Sequence, residues 1–389
     1  MAQPFRSKLE TEHAAEVKSV AVKTFDFLDA FYRAKHHEDE LLHDLDGVLS
    51  TNSASVRLIP FGCEVESVEW LGQRARGKRR AFLINRQRRL YEFKLDYTFR
   101  QAGEEHSRSG RFFVLQHAEY PKVFVALTLE PGGFFDQALM PFLAGTYPQV
   151  LLTFITHKRL KRLIEEFKAR GSYRDLTITK ASQRLRWQEG SHLEHAMPVV
   201  SWPQMSLDQA FDWVHQNNGW FQSIQFKVKE SSRILAMISV TRQGIVRTDG
   251  LLSWAYKGFT LPVCKTIHEN VTLFSRRARL AHPDLSSSPL VVEFDPNQFS
   301  EVEESRRLIQ SMRNLRSASI SVLHGNPYVH LSILDYDDGS AFDLWVLDEC
   351  RIILVPQLKA SVAAIKRLIN HIFDDYAEGS LSSYQGVAE

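Results

Sequence analysis

The chain has 389 residues, 44% hydrophobic and 24% charged, which is ordinary globular usage and excludes a disordered or fibrous chain. Single cores stop growing at roughly 250–300 residues, so the length points to two domains. The net charge of +2 hides sorted blocks: Gly72 to Arg100 holds ten Lys/Arg against two acids and Thr156 to Arg186 ten against three, whereas His36 to Asp46 and Asp335 to Glu349 hold five and six acids without any Lys or Arg.

The opening MAQPFRSKLETEHAAEVKSV mixes charges of both signs and has no apolar h-region, so no signal peptide is read and a cytoplasmic location is expected. Val17, Val20, Val22, Phe25, Leu28 and Phe31 recur near helical spacing, which predicts an N-terminal helical segment over 1–50. If its acidic end HHEDELLHDLD is helical, His36, Glu40 and His43 share one face and could hold a divalent metal, although the HExxH spacing of zinc hydrolases is absent. A solvated acidic helix end, or a contact for a basic partner, is the stronger reading.

From Ser55 to Glu130 the pattern turns strand-like, in VRLIPF, RAFLIN, YEFKLDYTF, RFFVLQH and KVFVALTL, and predicts a mostly antiparallel sheet. The turn GQRARGKRR sets Arg74, Arg76, Lys78, Arg79 and Arg80 on a hairpin tip, and NRQRR adds Arg86, Arg88 and Arg89 on or after the neighbouring strand. A projecting cationic finger of this kind suits a phosphate backbone, because each neutralised phosphate releases counterions. In YEFKLDY, Glu92 and Lys94 project from one side of a strand, similar to the ExK of PD-(D/E)xK nucleases, with Glu64, Glu66 or Glu69 as an upstream metal ligand. Glu-x-Lys also occurs at Glu16 and Glu166, so the triplet is near chance frequency.

A strand QVLLTFIT, a basic helix HKRLKRLIEEFKARG and a strand YRDLTITKAS follow. Leu160, Leu163, Ile164 and Phe167 form the helix's apolar stripe and leave Lys158, Arg159, Lys161 and Arg162 around the rim as a second phosphate-binding candidate. The Gly- and Pro-containing stretch from Trp187 to Met205 reads as a boundary, which gives a basic α+β domain over 51–188, a linker over 189–205 and a C-terminal α+β domain over 206–389. Beyond it lie a short helix SLDQAFDWVHQN, strands including ILAMISVTRQG, a basic cluster at Arg276, Arg277 and Arg279, and a final amphipathic helix SVAAIKRLINHIFDDYAEG. Strand, Arg-rich helix, strand occurs in both halves, without a fixed period. The fold class expected is α+β, two domains, each a mostly antiparallel sheet with packed helices.

The segment HGNPYVHLSILDYDDGS is the densest in chemistry. The spacing from His330 to Asp337 resembles one half of the HxKx4D signature of phospholipase-D-like enzymes, in which His attacks phosphorus and Lys holds the phosphate oxygens. Ser332 stands at the Lys position, and the chain holds no HxK anywhere. Two tight turns, Gly325-Asn326-Pro327 and Asp337-Asp338-Gly339, joined by a strand account for most of the composition. His324 and His330, which flank one turn, remain a candidate metal or general-base pair.

Cys63, Cys264 and Cys350 are far apart and form no CxxC, so buried reduced thiols are expected. No apolar run reaches the roughly 18 residues of a membrane helix, and the glycine-rich phosphate loops and serine-hydrolase elbow are absent. The leading expectation is therefore a non-catalytic nucleic-acid-binding subunit of a larger cytosolic assembly, without cofactor and directed at backbone rather than bases. One alternative is a metal-dependent nuclease or phosphodiesterase using Glu92 and Lys94, or His324 and His330 with Asp337. The other is a protein–protein scaffold docking partners or a second copy through its N-terminal and C-terminal helices.

Overall fold

The computed structural model describes residues 30–384, apart from 33, 35, 38–39, 52–53, 102, 147–148, 171–174, 186–197, 202–203, 217–218, 231–232, 276–288 and 326–327. Most of the expected N-terminal helix, the cluster at Arg276 to Arg279 and most of the expected linker lie outside the described residues.

Helix α1 (Leu41–Thr51) leads into β1 (Val56–Cys63), a 3-10 turn (Glu69–Gln73), β2 (Ala75–Arg76), β3 (Arg79–Gln87), β4 (Leu90–Gln101), β5 (Glu104–Gln116) and β6 (Val123–Thr128). Helix α2 runs over 132–145 with a π-helical turn at Phe135–Leu139. Next come β7 (Val150–Leu152), α3 (His157–Arg170), β8 (Asp175–Leu185), β9 (Pro198–Ser201), β10 (Met205–Ser206), α4 (Leu207–Gln216), β11 (Gly219–Glu230), β12 (Arg233–Thr241) and β13 (Val246–Thr248). Helix α5 covers 252–275 with a second π turn at Tyr256–Thr260. The last part holds β14 (Leu290–Glu293), α6 (Val302–Arg313), β15 (Ala318–His324), β16 (His330–Asp335), β17 (Ala341–Val346), β18 (Arg351–Pro356), α7 over 362–376 ending in a π turn, and β19 (Ser380–Ser383).

The strands form two antiparallel sheets with packed helices, so the fold is α+β, as the alternating patterns imply. Among the described residues the large sheet has 13 strands, running β10-β8-β11-β12-β13-β1-β6-β5-β4-β3-β2 with β7 and β9 beside that path; the small one has six, in the order β15-β16-β17-β18-β14-β19. Residues 189–205 do not divide the sheets. β11 pairs with β8 and β13 with β1, so strands from both sides of the expected linker share one sheet, and the change of sheet falls between β13 and β14. Composition marks loops, whereas ladder pairing is made by residues far apart in sequence.

The strand order recurs. β1 lies beside β6, the last strand of the meander β3 to β6, and β14 lies beside β18, the last of β15 to β18; a helix with a π turn follows each. This recurrence matches β1 with β14, and so differs from the echo in the sequence, which sets β7, α3 and β8 against β14, α6 and β15.

One core lies between the large sheet and α2, with Phe61, Phe93, Phe112, Phe124 and Phe142 fully buried. The other gathers α1, α3, α5, α6 and α7 between the two sheets. Within it α7 is buried on nearly every side, through Val362, Ala363, Ala364, Ile365, Leu368 and Ile369. Its half-buried stripe of Lys366, Arg367, Asn370 and His371 is the face left for the docking expected of a C-terminal helix. Arg242, just past β12, pins the parts together: Nη2 donates to Glu378 Oε1 at 2.5 Å, Asp374 stands 3.6 Å away, and the guanidinium lies over Phe154 at 4.2 Å. The other oxygen of Glu378 accepts the His157 backbone N–H at 2.6 Å, which caps the start of α3. Cys63 and Cys264 are buried free thiols, as expected, while Cys350 is half-buried.

Candidate nucleic-acid interface

The β2–β3 hairpin turns at Gly77, whose φ of +59° is a left-handed conformation that glycine adopts without steric cost. The register pairs Arg76 with Arg79, Arg79 with Tyr97 and Tyr97 with Arg108, so the hairpin tip and the middle of β5 form one surface. Between them lies an open recess of about 550 Å³, lined by Lys78, Arg79, Arg80 and Arg108, the hydroxyls of Tyr97, Thr98, Ser107 and Ser109, and a single acid, Asp96.

Several of these cations are held in place by contacts other than carboxylates. Arg74 lies over the Trp70 ring at 5.5 Å, Arg80 over Phe82 at 5.0 Å and Arg108 over Phe99 at 5.0 Å, geometry that fixes a guanidinium while leaving its charge in place. Arg79 Nε donates to the Gln137 carbonyl at 2.9 Å. Lys78 pairs with Glu105 at the exposed surface. Burial raises the Tyr97 pKa, partly offset by Arg108, which keeps its hydroxyl protonated at neutral pH.

Arg86, Arg88 and Arg89 do not join this cluster. Arg88 and Arg89 form the turn between β3 and β4, and β3 is nine residues long. At about 3.3 Å per residue, the two basic groups stand roughly 25 Å apart, at opposite ends of one strand. The single finger expected from the sequence is two separate patches. Arg86 pairs with Glu69 and lies 5.4 Å from the Tyr91 ring centre, and Arg88 holds a left-handed φ of 49°.

Helix α3 buries the stripe Leu160, Leu163, Ile164 and Phe167 as its periodicity predicts. Its cations are answered within the chain: Lys158 by Asp295 at 2.5 Å, Arg159 by Glu166 at 3.5 Å and Lys161 by Glu165 at 4.0 Å. Arg162 is exposed and shares a cavity of about 490 Å³ with Lys158, Arg159, Glu293, Asp295 and Glu378, where the charges balance.

The metal and catalytic candidates do not converge. His36 precedes α1 instead of lying on it; its Nδ1 meets Asp44 at 2.9 Å and its Nε2 the Phe31 carbonyl at 2.7 Å, so both ring nitrogens are occupied, while Glu40 and His43 are exposed. Glu92 meets Arg111 at 3.1 Å and Lys94 meets Asp96 at 2.9 Å, and Glu69 is taken by Arg86. His330 opens β16 and Asp337 lies past its other end, about 20 Å along the strand, with Arg367 bound to Asp337. His324 and His330 do face each other across the β15–β16 register, but His324 Nδ1 meets the Tyr328 carbonyl at 2.6 Å and His330 stacks on Trp345 at 3.8 Å. Among the described residues no three His, Cys, Asp or Glu side chains group as a metal site would require. The Asp337-Asp338-Gly339 hairpin turn forms as expected, with Gly339 at φ +73°; the Asn326-Pro327 part of the other turn lies outside the described residues.

Arg108 and its flanking serines escaped sequence reasoning because QAGEEHSRSG reads as one long turn, whereas β5 already begins at Glu104. The spacing of Arg108, Gly110 and Phe112, which shares the period of two with the buried run after it, was the available signal. In comparisons with known proteins, no family model matches the chain and no curated protein matches it significantly. Among the described residues no helix is long and apolar enough to cross a membrane.

Proposed function

We propose that the chain is a non-catalytic subunit of a cytosolic assembly that grips the phosphate backbone of a nucleic acid along the β2–β3 edge of the large sheet. The recess at the hairpin tip carries this reading, because Lys78, Arg79, Arg80 and Arg108 gather there beside four hydroxyls and one acid. Arginine forks and hydroxyl donors match phosphate oxygens, and neither reads base identity. The Arg86 to Arg89 patch is the second contact, and α3, whose cations already meet carboxylates, contributes less.

Binding of labelled duplex and single strands to the full chain across a salt series tests the proposal. Affinity should fall with a log–log slope of about −0.9 per phosphate contacted on duplex. Changing Arg79, Arg80, Arg88 and Arg89 together to Glu should weaken it further; a flat salt response with unchanged affinity overturns the reading. Duplexes shorter than about eight base pairs cannot span both patches and should lose the second contact. Cleavage of the labelled strands with Mg²⁺ or Mn²⁺ would instead favour a nuclease. A protein partner is the second reading, supported by Leu323, Tyr328, Tyr336 and Trp345, all exposed on or beside the small sheet. Copurifying protein without nucleic acid would favour it.

A further inference from the structure

A further cavity lies between the end of α3 and the start of α5. It measures about 350 Å³ and is lined by Phe167, Arg170, Ser253, Trp254, Lys257 and Gly258. The π turn at Tyr256–Thr260 brings Gly258 against Phe167 so closely that a Cβ there would sit 2.4 Å from the ring. Phe167 in turn stacks on Phe259 at 4.6 Å. These contacts make a firm apolar floor, with the Trp254 side chain as a partly exposed wall.

The rim is cationic. Arg170 and Lys257 are both exposed, and among the described residues no acid lines the cavity. Glu166 is the nearest partner of Arg170, in a loose pair at 3.9 Å. Asp46, which reaches Ser253, already accepts from the Leu252 N–H at 2.7 Å, the Ser253 N–H at 3.2 Å and the Ser253 hydroxyl, so its charge is answered at the start of α5. A mostly apolar slot of this size, closed on one side by rings and guarded by two cations, has the make-up of a small-molecule site.

We infer that this slot binds an apolar monocarboxylate, a medium-chain acyl or aryl acid whose tail lies on Phe167 and Trp254 and whose carboxylate meets Arg170 and Lys257. The inference is independent of nucleic-acid binding. Calorimetric titration of the full chain with octanoate, octanol and protonated octylamine tests it. Octanoate should bind saturably with one site, and octanol and octylamine should bind more weakly by up to about tenfold, since exposed ion pairs each contribute modestly. The double variant Arg170→Gln with Lys257→Gln should lose the preference for octanoate over octanol without a change in thermal midpoint, because both side chains are at the surface. Arg80→Gln with Arg108→Gln should leave octanoate binding unchanged, which separates this slot from the basic recess. Equal binding of octanol and octanoate, a non-saturating octanoate titration, or full octanoate affinity in the Arg170/Lys257 variant would each overturn the inference.

Discussion

The β2–β3 hairpin and helix α3 lie in near-equal stretches of sequence, Gly72 to Arg100 and Thr156 to Arg186 with ten cations each, yet their charges have different fates. On α3, Lys158, Arg159 and Lys161 each meet a carboxylate, and Glu378 receives both the helix start and the buried Arg242. At the hairpin tip Arg74, Arg80 and Arg108 lie against rings, beside a recess with one acid. A charge block thus says that a field exists, and only the neighbours decide whether it is used inside the fold or presented outside it.

Four experiments separate the two regions. The largest effect belongs to Glu378→Ala, which leaves Arg242, 1% exposed, without its closest carboxylate. Removing one partner of a buried pair is expected to destabilise by about 3–5 kcal/mol in chemical denaturation, with nucleic-acid affinity of the folded fraction unchanged. A change in affinity instead would mean that the interior network also shapes the outer surface.

Lys366 on α7 tests the interior side differently. Desolvation brings its ammonium from 10.5 to about 7, although the side chain keeps some surface exposure. Between those values the unfolded chain holds the proton and the folded chain does not. Stability should therefore rise with pH from about 7 towards 10.5 and level off below about 7, where both states hold the proton. Lys366→Met should remove this slope and stabilise at pH 7 by on the order of 2 kcal/mol, discounted for the exposure. A pH slope equal to that of the parent chain would place Lys366 in water.

On the hairpin side, Arg80→Gln with Arg108→Gln should leave the thermal midpoint alone, lower nucleic-acid affinity by about tenfold and reduce the salt slope by about 2, one unit for each phosphate contact. Lost stability with an unchanged salt slope would make the recess structural, like α3. Smallest of the four is Arg88→Gly. A left-handed φ strains a non-glycine residue by about 1 kcal/mol, so glycine should raise stability by up to that amount while weakening binding through loss of one cation. Stability and binding moving in opposite directions would assign the strain at Arg88 to a surface role.

Much of this protein is legible from residue order, because local physics is short-ranged. Short apolar runs bounded by turn residues located the strands from Val56 to Thr128, the 3.6-residue stripe of Leu160, Leu163, Ile164 and Phe167 located α3, and Asp338-Gly339 located a turn. These are decided by which face of an element is apolar and which residue tolerates positive φ. The α+β class follows from them. What depended on partners distant in the chain could not be read. His36 lost its place on a metal-binding face to Asp44 and a carbonyl, the Arg74 to Arg89 finger divided into two patches at opposite ends of β3, and strands on both sides of residues 189–205 joined one sheet. Arg108 entered the recess because the β4–β5 register sets it opposite Tyr97, and Gly258 met Phe167 because a π turn shifts the helix there. Composition sets which charges and apolar groups are present, but register, crossing and burial decide which of them meet, and the candidate sites are made of those meetings.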